Sequence, residues 1–212
     1  MGPFQVTFYY VAAEEEVDAA QGSAKQGGDK TYASQVLDLV VLYDGKTCEP
    51  IAEVSRAFAA AAEMQGTGKL KDGRIINIWG SCPCGRSPCF QFTGQKWGKS
   101  GNGRGLTPFR TVAADPKVVP LGSLLYIPVL EGRRMPGRAP WGGFVHDGCV
   151  VADDTGGAIR DNQLDFFVGR RAYYRALANR GSHAWARSTE VFDGSSICTR
   201  EGREIRRTDS AI

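Results

Sequence analysis

Short runs rich in β-branched and aromatic residues, separated by Gly- and Pro-containing turns, restrict this chain more than any other feature. They fall at residues 4–11 (FQVTFYYV), 36–43 (VLDLVVLY), 74–79 (RIINIW), 111–115 (TVAAD), 123–129 (SLLYIPV), 143–153 (GFVHDGCVVAD) and 185–192 (WARSTEVF). The first alternates apolar and polar positions, as a half-buried strand requires. Only two stretches carry helical spacing. Residues 50–65 place Ile51, Val54, Phe58, Ala61 and Ala62 on one face, with Pro50 at the start, Glu53 in the first turn and Gly66 as a stop. Residues 169–179 (GRRAYYRALAN) form the second. Many short strands with two helices predict a mainly β fold, a small barrel with insertions.

At 212 residues the chain is expected to form a single domain. Residues 13–34, acidic and then rich in Gly, Ser and Lys, are expected to form a loop. Residues 67–105 form a long irregular segment that holds the cysteine cluster and the Gly-rich WGKSGNGRG. Segments of that kind tend to be functional or mobile. The charged tail from residue 200 to residue 212 is expected to fray.

Composition excludes several classes. An apolar fraction of 42% and a charged fraction of 23% are those of an ordinary globule. A net charge of +3 makes no case for a nucleic-acid partner. No stretch approaches the ~20 apolar residues of a membrane span. The opening MGPFQVTFYY lacks the basic start and apolar run of a signal peptide. The six cysteines, Cys48, Cys82, Cys84, Cys89, Cys149 and Cys198, favour disulfides and an oxidising compartment. The alternative is a zinc site completed by Cys149 or His146, for which CxC is poor spacing.

Nucleophilic catalysis has little to work with. His146 and Cys149 are three apart on a strand and face opposite sides, so His146 is expected to be a hydrogen-bonded structural residue. Carboxylates are the better candidates. Asp115 ends one strand and Asp154 another, just before Thr155-Gly156-Gly157. Asp165 sits among Leu164, Phe166 and Phe167. Apolar surroundings and a neighbouring carboxylate both raise an acid's pKa, which suits a general acid for glycosidic cleavage. The competing reading makes Asp154 the cap of a glycine turn and Asp165 the N-cap of a following helix. Asp147, Asp153 and Asp161 are expected to be solvated loop residues.

The runs TVAADPKVVPLGSLLYIP and VVADDTGGAIRDNQLDFFVG resemble the 3D domain, named for three aspartates. It occurs in the membrane-bound lytic transglycosylase A family and in bacterial stationary-phase and resuscitation-factor-like proteins. The resemblance spans residues 108–175, and residues 13–100 match it poorly. EGRRMPGRAPWGG is an insertion relative to compact members, and Arg160-Asp161 departs from the pattern after GGAI.

The resemblance implies a six-stranded double-psi β-barrel with inserted helices and loops. It implies cleavage of the bond between N-acetylmuramic acid and N-acetylglucosamine in peptidoglycan, with closure of a 1,6-anhydro ring. Asp165 would be the acid/base, with Asp154 and Asp115 in the other two aspartate positions. Thr155, Gly156 and Gly157 would line the groove. Lys96, Lys99, Arg104 and Lys117 could meet substrate carboxylates, and Tyr9, Tyr10, Trp79 or Trp97 could stack on a sugar face. The implied partner is the peptidoglycan glycan strand. No metal or cofactor is implied, and the expected location is exported: periplasmic, envelope or extracellular. Two alternatives stand beside this reading. One is a hydrolytic muramidase on the same barrel; the other is a non-catalytic, expansin-like wall-binding module.

Overall fold

Alternation along the first strand decides where a core forms. The computed structural model describes residues 1–24, 38–80, 82–83, 85, 88–178 and 184–208. In it, β1 (Gly2–Ala13) sends Phe4 and Val6 inward and turns Thr7 and Tyr9 the other way. The chain forms two compact units, one of residues 1–10 with 99–212 and one of residues 11–98.

The 11–98 unit continues from the end of β1 into α1 (Glu14–Ala24), β2 (Leu39–Asp44), β3 (Pro50–Ser55), α2 (Arg56–Gln65), β4 (Thr67–Lys69), β5 (Ile75–Ile78) and β6 (Cys89–Thr93). Its sheet runs from Ala12 and Ala13 of β1 through β4, β5, β6 and β2 to β3. Phe58, Ala62, Ile76 and Phe90 fill its core.

Two expectations fail here for identifiable reasons. Residues 14–24 are helical rather than looped. Glu14, Glu15 and Glu16 occupy the first turn, where they suit the positive end of the helix dipole. Buried Glu14 also accepts the Lys71 N–H at 2.9 Å, and Asp18 accepts from Ser55 and Lys71. The rest of the expected loop, 25–34, lies outside the described residues. The helix expected over 50–65 begins only at Arg56. Residues 50–55 pair with β2 instead, around a turn in which Asp44 Oδ1 accepts the Lys46 and Thr47 N–H groups. Strand pairing, a tertiary contact, overrides the helical spacing of Ile51 and Val54. Ser55 then caps α2 by accepting the Phe58 N–H at 3.1 Å, and Gly66, at φ 73°, ends it.

The other unit joins the start of β1 to β7 (Thr111–Ala114), β8 (Leu124–Tyr126), β9 (Cys149–Asp154), β10 (Gln163–Arg170), α3 (Arg171–Ala178), β11 (Thr189–Asp193), β12 (Cys198–Glu201) and β13 (Glu204–Arg207). Six strands run in the order β10-β7-β9-β8-β11-β1, and β1 pairs back onto β10. They therefore close into the six-stranded barrel that the strand pattern and the resemblance led us to expect. Val112, Ala114, Val150, Ala152, Leu164, Phe166 and Val168 point into it. By alternation Thr111, Ala113 and Asp165 point outward.

The tail does not fray up to Thr208. β12 and β13 form a hairpin, held by the Cys149–Cys198 disulfide and packed through Ile205 onto Val151. Cys82 and Cys89 form a second disulfide, and among the described residues no cysteine is free. Disulfides rather than zinc therefore account for Cys82, Cys89, Cys149 and Cys198. His146 is structural, as expected. It is buried, its Nε2 lies 2.7 Å from the Phe109 carbonyl, and its Nδ1 accepts the Gly148 N–H. Burial, helped by Arg110, pushes its pKa down to about 4.

Candidate active site

The register of three strands brings two aspartates into one row. Asp165 of β10 stands opposite Ala113 of β7, and Ala113 stands opposite Asp154 of β9. Each strand step is ~4.8 Å, so the two Cα atoms lie roughly 10 Å apart with a single methyl between them. An irregularity in β7–β9 pairing makes this possible. Thr111 pairs with Val151, but Ala113, two residues on, pairs with Asp154, three residues on. The extra residue lets Asp153 and Asp154 both escape the inward-facing set.

Asp165 is not the N-cap of a helix; it lies inside a strand. The helix that follows starts at Arg171, two residues later than expected. Its neighbours along β10, Leu164 and Phe166, are in the core. Thr7 Oγ1 donates to Asp165 Oδ1 at 2.8 Å. Burial, reinforced by the charge of Asp154 and opposed by the Thr7 hydrogen bond, raises the Asp165 pKa to about 6.

Asp154 is held on both oxygens. Oδ1 accepts the Gly101 N–H at 2.7 Å and the Thr155 N–H at 2.9 Å. Oδ2 accepts the Tyr9 hydroxyl at 2.7 Å. Its pKa is also raised, because burial outweighs these donors. Tyr9 is raised well above the ordinary tyrosine range by burial and by Asp154, so it remains a protonated donor. Its ring lies 5.0 Å from that of Phe167 and is 7% exposed, so it is not a free sugar platform. Gly101 brings the backbone close to Thr155. A Cβ on it would come within 2.9 Å of Thr155 Cγ2.

Asp115 is placed differently from the other two. Its carboxylate accepts the Lys117 N–H at 3.0 Å and the Asp161 N–H at 3.1 Å, clamping the turn after β7 to the approach to β10. Those two donors lower its pKa, the reverse of the shift at Asp165. Lys117 is exposed, as are Thr155 and Gly157, while Gly156 is half-buried.

Two aspartates expected to be solvated are not. Asp153 is 2% exposed; Arg200 grips both its oxygens, and Asn102 Nδ2 donates to it at 2.6 Å. Asp147 pairs with Arg110 and accepts the Arg207 N–H. Asp161 is exposed, as expected.

Sequence reasoning did not single out Thr7 or Gly101 as site residues. Thr7 was within reach, since it lies two residues before Tyr9 on the same strand face. The partnership of Gly101 with Asp154 crosses 53 residues and has no local signal.

Two carboxylates of raised pKa thus stand in one outward-facing row on a closed barrel. Residues 110–183 match the 3D domain family, and this segment of the chain is a 3D domain. No curated protein matches the sequence. Among solved structures, Escherichia coli MltA with bound chitohexaose is similar at a TM-score of 0.51 and 15% identity, over 82% of this chain and 68% of that one. The chain is also similar to the lytic transglycosylase LtgG of Burkholderia pseudomallei (TM-score 0.42, 16% identity, 89% and 70% covered). A third is the membrane-bound lytic murein transglycosylase from Agrobacterium tumefaciens (TM-score 0.45, 14% identity, 90% and 72% covered). The likeness to MltA establishes a shared fold.

Proposed function

We propose that this protein is an exported bacterial peptidoglycan lytic transglycosylase. The observation that carries the proposal is the contrast within one row: Asp165 has a pKa of about 6, beside an Asp154 whose oxygens are already committed to three donors.

Asp165, protonated, gives its proton to the glycosidic oxygen, and the C–O bond breaks through an oxocarbenium-like state. The adjacent Asp154 favours the positive charge on the ring. Asp165, now ionised, takes the proton of the muramoyl C6 hydroxyl as that oxygen attacks C1. The 1,6-anhydro ring closes and the acid is regenerated. The nucleophile is tethered, so its effective molarity is high and no water-activating base is needed. Thr7 orients Asp165, and Tyr9 with the Gly101 N–H orients Asp154. Asp115 acts through the 115–118 turn and Asp161 as a positioning residue. Thr155, Gly156, Gly157 and Lys117 border the groove.

A hydrolase on the same barrel would need a second carboxylate free to activate water. Asp154, with its oxygens committed, is a poor base, which favours the lyase over the muramidase. A wall-binding module would have no use for a desolvated acid. The substrate is the glycan strand of peptidoglycan. The bound chitohexaose of MltA supports a glycan ligand, and the disulfides support a location outside the cytoplasm.

Mass spectrometry of the soluble products from purified peptidoglycan tests the reading. Anhydro-muropeptides, one water lighter than hydrolysed ones, are the expected result. Reducing-end products would establish a hydrolase instead. Sedimentation with the wall and no release would establish a binding module.

A further inference from the structure

An ion pair that the proposed reaction does not use ends one residue from Asp154. Its carboxylate, Asp153, precedes Asp154 on β9 and is 2% exposed. Arg200 of β12 holds it from one side. Nη1 donates to Asp153 Oδ1 at 2.8 Å, and Nη2 donates to Oδ2. Arg200 is itself fixed. It stands two residues after Cys198, so alternation sends both side chains to the side where the disulfide joins β9. Its Nε also donates to the Gly202 carbonyl at 3.3 Å.

From the other side Asp153 holds the 100–104 turn. Asn102 Nδ2 donates to Asp153 Oδ1 at 2.6 Å, and the Asn102 N–H donates to the Asp153 carbonyl at 3.2 Å. One oxygen, Oδ1, therefore takes a donor from Arg200 and a donor from Asn102, so the orientation that Arg200 imposes is the one that Asn102 meets. The turn is also bonded within itself. Asn102 Oδ1 accepts the Arg104 N–H at 3.1 Å, and the Ser100 N–H donates to the Arg104 carbonyl at 2.7 Å. A displacement of Asn102 is thus passed on to its neighbour Gly101, whose N–H donates to Asp154 Oδ1 at 2.7 Å.

We propose that Arg200 is a positioning residue for the reaction, acting through Asp153 and the 100–104 turn on the carboxylate of Asp154. The proposal rests on the lytic transglycosylase reading. Asp154 favours charge that develops on the sugar ring only in the transition state, so misplacing it lowers kcat and leaves KM nearly unchanged. The titratable groups that face Asp154 are Tyr9 of β1, Asp165 of β10 and Asp153 of its own strand. Losing the Gly101 donor disfavours the Asp154 anion. A less ionised Asp154 repels the charge of Asp165 less, and Asp165 then ionises more readily. The alkaline limb of kcat/KM moves to lower pH.

The test uses the full chain and the concentration dependence of muropeptide release from purified peptidoglycan. Arg200→Lys keeps a positive charge beside Asp153 but loses the planar fork that grips both oxygens. Asn102→Ala leaves the Arg200–Asp153 pair intact and cuts its tie to the turn. Each is expected to lower kcat roughly tenfold, to hold KM within about twofold, and to move the alkaline limb to lower pH. The two together are expected to lose no more than the larger single loss, because both act along one line. Losses that multiply overturn the route through Asp153. A lowered thermal midpoint with kcat and the limb unchanged makes the pair structural only and overturns the proposal, while the transglycosylase reading stands. If Arg200→Lys does not fold, Asn102→Ala decides by itself, on kcat and the limb. No release by the unaltered protein overturns both.

Discussion

Asp165 and Asp154 stand on either side of Ala113 in one row of the barrel wall, and their electrostatic situations are opposed. Asp154 has a donor on each oxygen, two on Oδ1. Asp165 has the Thr7 hydroxyl and the charge of Asp154 to contend with. Burial acts on both, but it is Asp165 that reaches a pKa of about 6.

Removing the Asp165 charge is expected to abolish turnover and to stabilise the fold at neutral pH. The folded state holds this proton more tightly than the unfolded state, so the stability it supplies is complete below pH 3.8 and is lost as the pH rises through about 6. The difference corresponds to roughly 3 kcal/mol. Asp165→Asn should therefore raise the melting temperature by several degrees at pH 7.5 and hardly at all at pH 4, while release of soluble muropeptides falls by a factor of ~10³. An unchanged melting temperature at pH 7.5 would contradict the burial argument.

The pH profile should report the same group. A catalyst that must start protonated loses kcat/KM as Asp165 ionises, so the alkaline limb is expected near pH 6. Asp154→Asn removes the like charge that disfavours ionisation. Asp165 then ionises more readily, and the limb moves to lower pH. A limb that stays in place, or moves up, would show that Asp154 does not act on Asp165 electrostatically.

Tyr9→Phe deletes the donor to Asp154 Oδ2 and leaves that oxygen without the partner it has now. A hydrogen bond to a charged group contributes ~1.5–3 kcal/mol. We expect a loss of about that size in chemical denaturation and a roughly tenfold fall in kcat/KM. Thr7→Val probes the equivalent bond at Asp165. It should raise the pKa of Asp165 further, and the alkaline limb of the profile with it, because the Thr7 bond favours the ionised form.

Arg200→Ala leaves Asp153, 2% exposed, without its ion-pair partner, and Asn102 alone remains to hold it. Stripping one member of a buried pair costs ~3–5 kcal/mol. The double variant Asp153→Asn/Arg200→Ala should recover a large part of that loss. If the single variant unfolds at the same denaturant concentration as the parent, the hairpin is not fastened through this pair.

Much of the barrel was legible because five of its six strands, all but β10, carry their own evidence. Phe4 and Val6 alternate with Gln5 and Thr7, and Val112 and Ala114 alternate with Thr111 and Ala113. Period-two burial is a local property and survives in the sequence. The position of Asp165 beside apolar residues was equally local, and so was the disfavoured pairing of His146 with Cys149. Tyr9 was visible as an aromatic candidate, but not its role: the sequence suggested a stacking surface, and the fold uses its hydroxyl.

What the sequence by itself determined is therefore five of the six barrel strands, though not β10, together with the candidate carboxylates and the preference for disulfides, since these depend on residue type and near-neighbour spacing. Only the tertiary structure decided which carboxylates meet. The meeting of Asp154 and Asp165 depends on a one-residue irregularity between β7 and β9 and on the closure of β1 against β10. The separation of Asp115 into a backbone clamp depends on Lys117 and Asp161. The conversion of a charged tail into a hairpin depends on Cys149, 49 residues away, and on an Asp153 that had looked solvated. Burial sets the charge state of each of these groups. Burial is a property of packed surfaces, which near-neighbour spacing does not encode.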